Sequence, residues 1–465
     1  MAAADLFDVA IIGGGVVGCA VARRFTLEGA RTVLLERAPD ILAGASKGNS
    51  ALLHTGFDAP TGSLELACVR DGYAEYREIC GRLGLSVLET GAAVVAWTDA
   101  EVAKLEGIVA QAHANGVDEV RAIDADELLA REPALSPAAK AAVLVPGEHV
   151  IDPWSTPLAY IRQAVENGAV LLRNAGVTAA GFDGAHWRLA TTAGEVRAAA
   201  VVNCAGLWGD RVATLLLGQS AYAIHPRKGQ FVVFDKAAAG LLRTTILPVP
   251  TERTKGVVVA RTIYGNVLVG PTAEEQDDRE RATTDSETLH QLIGQAGRIV
   301  PGLADMPVTA VYAGLRPATE RKEYRIASDP DRRVIDVGGI RSTGLTAALG
   351  IARHVHGLYQ AFGTAHRPIA DPVWPVVPNL AEHRPRDWEA EGSGEIVCHC
   401  ELVTGREIAA ALTGPVPAGD WGGLKRRTRA GMGRCQGFYC TARLARLTEG
   451  RLAEPLAVGP AHHGP

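Results

Sequence analysis

Four cysteines near the C-terminal end have the types and spacing to do chemistry: Cys398, Cys400, Cys435 and Cys440, arranged C-x-C-(34)-C-x4-C. The other four, Cys19, Cys68, Cys80 and Cys204, are scattered. Two short loops that each offer two thiolates suit a [2Fe–2S] cluster or a zinc ion. Zinc ribbons usually pair cysteines as C-x2-C, and this spacing departs from that. Lys425, Arg426, Arg427, Arg429 and Arg434 lie between the pairs. Positive charge there suits a cluster that four thiolates leave net negative.

The opposite end carries a nucleotide fingerprint. Residues 8–12 (DVAII) read as a buried parallel strand. Gly13, Gly15 and Gly18 follow as G-x-G-x-x-G, then a helical stretch from Cys19 to Glu28, then a strand from Thr32 to Leu35 ending at Glu36. Gly13 permits the tight turn, Gly15 lets a pyrophosphate approach the backbone, and Gly18 lets helix and strand pack closely. The helix N-terminus faces the phosphates, and Glu36 accepts from a ribose hydroxyl. This spacing does not separate FAD from NAD. Three later segments bear on it: GASKGNSALLHTGF (44–57), VVNCAGLWGD (201–210) and GGIRSTGLTAA (338–348). The first lets backbone approach a flat ring. The last opens an apolar helix to about Tyr359, whose positive end suits an anionic flavin edge.

The elements that position these groups need several domains, and 465 residues with 47% hydrophobic side chains can build them. A net charge of −5 gives the whole chain no polyanion-binding character, so no nucleic-acid partner is expected. Eight cysteines are too few for a disulfide scaffold, which points to reduced thiols and a cytoplasmic setting. The start shows no basic signal region, and no apolar run of about 18 residues occurs. Membrane association would then be peripheral or through a partner.

Taken in order, GGGVVG with Glu36, the GASKGNS loop, VVNCAG, LVGPTAEE (268–275), AGLRP (313–317) and GIRSTGLTAA (339–348) resemble the FAD-dependent oxidoreductases of the D-amino-acid oxidase/glycerol-3-phosphate dehydrogenase superfamily. CHCE (398–401), VTGREI (403–408) and KRRTRAGMGRCQGFYC (425–440) are similar to the bacterioferritin-associated-ferredoxin-like [2Fe–2S] module fused to anaerobic-type glycerol-3-phosphate dehydrogenases. The resemblance implies an α/β chain, α+β overall. A Rossmann-like FAD-binding domain would occupy 1–80, 150–220 and 310–375. An inserted antiparallel-sheet substrate domain would occupy 81–149 and 221–309. A linker (376–394), the [2Fe–2S] module (395–450) and a disordered tail (451–465) with solvated His462 and His463 would follow.

It also implies chemistry. A small hydroxylated anion, sn-glycerol 3-phosphate first, gives hydride to FAD, and electrons leave singly through the cluster to an acceptor protein or a quinone-linked subunit. His54 would take the hydroxyl proton. Arg316 would hold the anionic group, with Arg261, Lys255 and Lys228 as weaker candidates. Ser46, Asn49, Gly206, Gly344, Leu345 and Thr346 would contact the cofactor. Cys19, Cys68, Cys80 and Cys204 would be structural. Arg341 and Thr343 replace a more usual Glu-Ser-Pro-like triplet near the ring or the substrate. Phe438 and Tyr439 stand between the last two cysteines, where related modules carry a small residue. Rival readings are an L-2-hydroxyglutarate, amino-acid or amine dehydrogenase on the same fold, a non-catalytic electron carrier, and a zinc-stabilised flavoprotein.

Overall fold

Alternation along the first strand sets the architecture. A computed structural model describes residues 6–250 and 256–456. In the strand Leu6–Ile12, Val9 and Ile11 face one core while Ala10 and Ile12 face another. In Thr32–Leu35, Leu34 joins the first core and Val33 and Leu35 the second. A strand buried on both faces needs cover on both sides, as in a parallel α/β sheet. Leu6–Ile12 accordingly pairs in parallel with Thr32–Leu35 and with Gly194–Asn203. Val170–Leu172 and Val334–Gly338 extend the parallel run at its two ends. Helices Val16–Leu27, Ser155–Glu166 and Gly344–Tyr359 cover the first face. Trp187 and Leu189, from an antiparallel flap, help cover the second.

A second, nine-stranded sheet is built around Ile224–Phe234, which pairs antiparallel with Val308–Thr319. Residues 310–319 therefore belong to this sheet and not, as expected from sequence, to the flavin-binding domain. Within it Arg316 stands opposite Arg227. The sheet is antiparallel except where Thr245–Pro248 runs parallel to Ala92–Ala96.

The C-terminal module is small: a two-stranded ribbon, Ile396–Cys398 with Val403–Thr404, and helices Gly405–Thr413, Trp421–Thr428 and Thr441–Leu447. Thr404 and Glu407 form a reciprocal cap at its first helix. Val397, Ile408, Leu424 and Leu444 fill its core. Residues 376–394 lack the apolar periodicity of an element and read as a linker, yet they pack as a strap. Val377, Leu380 and Ala381 are buried, Val377 N–H donates to the Leu83 carbonyl, and Glu382 N–H donates to that of Ile263.

A buried ion pair helps to bolt the module on. Asp40 is fully buried and accepts two bonds from Arg427, at 2.6 and 2.8 Å, plus the Gly419 N–H at 3.1 Å. A side chain at position 423 would collide with it, because a Cβ there would fall 1.6 Å from Asp40 Oδ2. No helix among the described residues is long and apolar enough to cross a membrane.

Candidate active site

A cavity of ≈ 630 Å³ is lined from both sheets, a volume in the range of small-molecule and cofactor sites. One end is the turn after the first strand. Gly13 has φ +109°, and Gly18 sits where a Cβ would fall 1.9 Å from the Gly13 carbonyl oxygen. Only glycine allows both. Gly15 caps the helix with no side-chain bond, and Ser46 Oγ accepts the Val16 N–H at 3.0 Å. Glu36 accepts the N–H groups of Gly14 at 2.7 Å and Ala38 at 2.8 Å. Burial still pushes its carboxyl above the usual range, against those bonds. Gly206, with φ +54°, and Asn49 complete this part of the wall, and the Asn49 carbonyl is held by the Tyr312 hydroxyl at 2.7 Å.

The other end is cationic. Arg316 and Arg341 line the cavity, and among the described residues neither forms an ion pair with a carboxylate. Arg316 donates to the Thr272 carbonyl at 3.1 Å. Burial, then the neighbouring Arg227 and Arg341, pull its guanidinium down to about 10. Burial, then Arg227, lowers Arg341 as well. Two cations that disfavour each other mark a place for an anion.

Gly344 and Leu345 line this end. Thr343, ahead of them, is already engaged: its hydroxyl donates to Glu65 at 2.7 Å and lies 2.7 Å from that of Tyr324. Thr346 stands behind the wall, its Oγ1 accepting the His54 N–H at 3.0 Å. His54 Nδ1 lies 2.8 Å from Glu148 Oε2. Glu148 is 1% exposed and also accepts the Thr55 N–H at 2.6 Å and hydroxyl at 2.9 Å.

His54 is not among the residues that line the cavity, and the weaker sequence candidates among the described residues lie outside its wall too. Lys228 pairs with Glu274 at 2.9 Å, outside the cavity wall. Arg261 also lies outside it, close enough to His383 to lower that ring after burial has done so. No residue of its strand, Val258–Arg261, lines the cavity, and local sequence does not say where in the sheet a strand will sit. Lys255 lies outside the described residues, as do His462 and His463.

In the module the thiols fall into two pairs. Cys398 contacts Cys440, and Cys400 contacts Cys435. Backbone N–H groups of Tyr439, Gly437 and Phe438 point at the Cys435 sulfur and lower its pKa. Burial, then Cys398, pushes Cys440 up to about 12. Among the described residues no three His, Cys, Asp or Glu side chains gather as ligands of a single ion. Two thiol pairs with amide donors aimed at sulfur fit a two-iron cluster better than one zinc. Most of the basic run is spent on partners other than the cysteines: Arg426 on the Ile41 carbonyl, Arg427 on Asp40 and Arg434 on Asp235 across to the rest of the chain, and Arg429 on Glu401 within the module. Lys425 alone of the five is felt by a cysteine of the quartet, Cys440. Phe438 and Tyr439 are 82% and 76% exposed.

Residues 8–358 match the FAD dependent oxidoreductase family, DAO, and residues 396–449 match the BFD-like [2Fe-2S] binding domain. The chain belongs to the DAO family of FAD-dependent oxidoreductases. Its cofactors are FAD and a [2Fe–2S] cluster. It is 32% identical over 450 residues to a glycerol 3-phosphate dehydrogenase of Caloramator mitchellensis, covering 95% of this chain and 94% of that one. It is 26% identical to one of the subunits of the anaerobic glycerol-3-phosphate dehydrogenase of Escherichia coli K12, over 95% of this chain and 88% of that one. The structure of L-α-glycerophosphate oxidase from Mycoplasma pneumoniae with FAD bound superposes with a TM-score of 0.74 at 25% identity, covering 81% of this chain and all of that one.

For this DAO-family chain, the glycine turn, the helix N-terminus and Glu36 fit the dinucleotide half of FAD, and the four cysteines fit the cluster. Cys19, Cys68 and Cys204 are buried, and burial raises all three thiols, so they stay inert. Sequence reasoning missed Glu148. It lies in VPGEHVID, and a lone carboxylate beside a turn looks solvent-exposed until the fold buries it.

Proposed function

We propose that the chain is a dehydrogenase that oxidises sn-glycerol 3-phosphate to dihydroxyacetone phosphate. The observation that carries the reading is the pair Arg316 and Arg341, two cavity-lining guanidiniums with no carboxylate partner among the described residues. Guanidinium binds phosphate bidentately, and two of them match a dianion. Relatives named for the same substrate along nearly the whole chain support it.

His54 is the proposed proton acceptor. With Nδ1–H donated to Glu148, the acceptor lone pair falls on Nε2. The buried carboxylate then stabilises the imidazolium that forms when the substrate hydroxyl gives up its proton. Thr346 and Thr55 hold this pair in place from two sides. When bound, FAD takes the hydride from the substrate carbon, and the [2Fe–2S] centre passes electrons onward one at a time.

The onward acceptor in this reading is a separate protein seated at the exposed Phe438–Tyr439 end of the cysteine loop. Eight free cysteines suit a cytoplasmic setting. The test is anaerobic absorbance of the purified protein with sn-glycerol 3-phosphate, L-2-hydroxyglutarate and amino acids in turn. Rapid flavin bleaching by the first alone is expected. Bleaching only by another compound sinks the substrate, and bleaching by none sinks the enzyme.

A further inference from the structure

Between the cavity and the cysteine loops runs a continuous line of packed side chains that the chemistry above leaves unused. Lys47 and Pro153 line the cavity. The Lys47 carbonyl accepts Trp154 Nε1–H at 3.1 Å. Trp154 stacks on Tyr264, with centroids 5.5 Å apart and planes 17° from parallel. The Arg429 guanidinium lies 4.0 Å from the Tyr264 ring centroid. Arg429 Nε donates to Glu401 at 2.8 Å, and Glu401 directly follows Cys400.

This line is built, and at a cost. Tyr264, Arg429 and Glu401 are each at most 5% exposed. A buried Arg–Glu pair gives up its hydration, and a packed apolar substitute is often as stable. Arg429 also holds φ +66°, a left-handed conformation that disfavours a side chain. Trp154 packs against the first core of the flavin sheet and against one core of the nine-stranded sheet, so it sits where flavin domain and substrate domain meet. Tyr264 donates its hydroxyl to Asp152 at 2.8 Å, and burial keeps the phenol neutral. Its ring therefore offers packed density without itself titrating.

We propose that Trp154, Tyr264 and Arg429 form the bridge over which electrons cross from the flavin to the [2Fe–2S] centre. The proposal rests on the dehydrogenase reading for the direction of flow. No bond in the bridge forms or breaks. Substrate delivers two electrons as one hydride. They cross singly, the flavin being oxidised and the cluster reduced by one electron each time, with the flavin's proton released to water. In turnover a one-electron acceptor protein empties the cluster between crossings; in the test the cluster itself keeps the electron. Removing a ring opens a void in the dense path.

The test uses the holoenzyme. Illumination in EDTA reduces the bound flavin without substrate, and the cluster's EPR signal and absorbance report the arrival of the electron. Y264L and W154L should slow cluster reduction at least ~10-fold while flavin photoreduction keeps its rate and both midpoint potentials stay put. Y264F keeps the ring and should behave as wild type. Wild-type transfer in both Y264L and W154L overturns the bridge. So does a Y264F protein as slow as Y264L, since the bond to Asp152 would then be what matters. A cluster potential moved far enough to explain the slowing overturns it too. If Y264L does not fold, W154L and R429Q carry the same test. Light replaces substrate here, so failure of glycerol phosphate to bleach the flavin strikes the proposed function alone.

Discussion

Replacing Glu148 with glutamine probes the proposed proton acceptor with the least disturbance. The side chain is 1% exposed and accepts three bonds, from His54 Nδ1, Thr55 N–H and Thr55 Oγ1. Glutamine keeps the shape and a carbonyl acceptor but removes the charge that faces the imidazolium. A bond to a charged group contributes about 1.5–3 kcal/mol and a neutral one about 0.5–1.5. The difference, about 1–1.5 kcal/mol, falls on the proton-transfer step and slows it about 5- to 12-fold. Stopped-flow bleaching of the flavin by sn-glycerol 3-phosphate under anaerobic conditions reads that step directly. Substrate affinity should hold, because Arg316 and Arg341 are untouched. E148A should be far worse and also less stable, since it strands buried donors at about 1–3 kcal/mol each. A bleaching rate in E148Q within twofold of wild type, at full flavin content, would refute the His54–Glu148 assignment.

Four further outcomes follow from the geometry. R316A and R341A should each lower kcat/KM for glycerol phosphate by about 10- to 100-fold, the loss of a charge-assisted contact, while leaving FAD content intact; unchanged kinetics in both would remove the anion site. C435S should lose iron and sulfide, about two of each per chain in the parent, yet still bleach with substrate; retained EPR signal would show that Cys435 is not a ligand. Burial lifts Asp336 to about 6, despite bonds from Tyr222 and Asn203. A carboxyl raised in the folded state is stabilising while protonated. Its contribution is present below about pH 4 and is lost as pH rises through about 6. D336N should flatten that part of the stability curve in urea titrations, and an unaltered slope would rule the group out as its source. R427A strands a buried carboxylate and should cost about 3–5 kcal/mol, seen as a lower Tm and faster proteolysis within 376–394.

How much of this was legible depended on whether the needed partner lay nearby in sequence. The glycine turn, Glu36 and the cysteine loops are local motifs whose backbone demands are written in residue type, and the fold places the turn and Glu36 on the cavity wall. The catalytic-end chemistry was half visible. His54 and Arg316 sit in recognisable segments, but Glu148 is 94 positions from His54 and carries no periodic signal. Arg261 and Lys228 looked equally available to the substrate because a strand's two faces are equivalent until a sheet buries one. The basic run misled for a related reason: two of its charges answer acids far off in sequence, Arg427 on Asp40 and Arg434 on Asp235. Residues 376–394 read as a linker because three well-placed apolar residues are too few to make a pattern, yet enough to fill a groove.

Asp40 lies four residues beyond Glu36, in one short turn after the same strand. One acid of that turn lines the cavity and the other holds the C-terminal module. Whatever stiffens the turn at one end is felt at the other, and such coupling runs equally both ways. Loading of the two cofactors should then be coupled, each favouring the other. Stripping FAD should loosen the grip on iron, and losing the module should weaken the grip on FAD, a reciprocity that iron release during flavin removal would reveal. A chain that holds its flavin is then the more ready to hold the cluster that drains it.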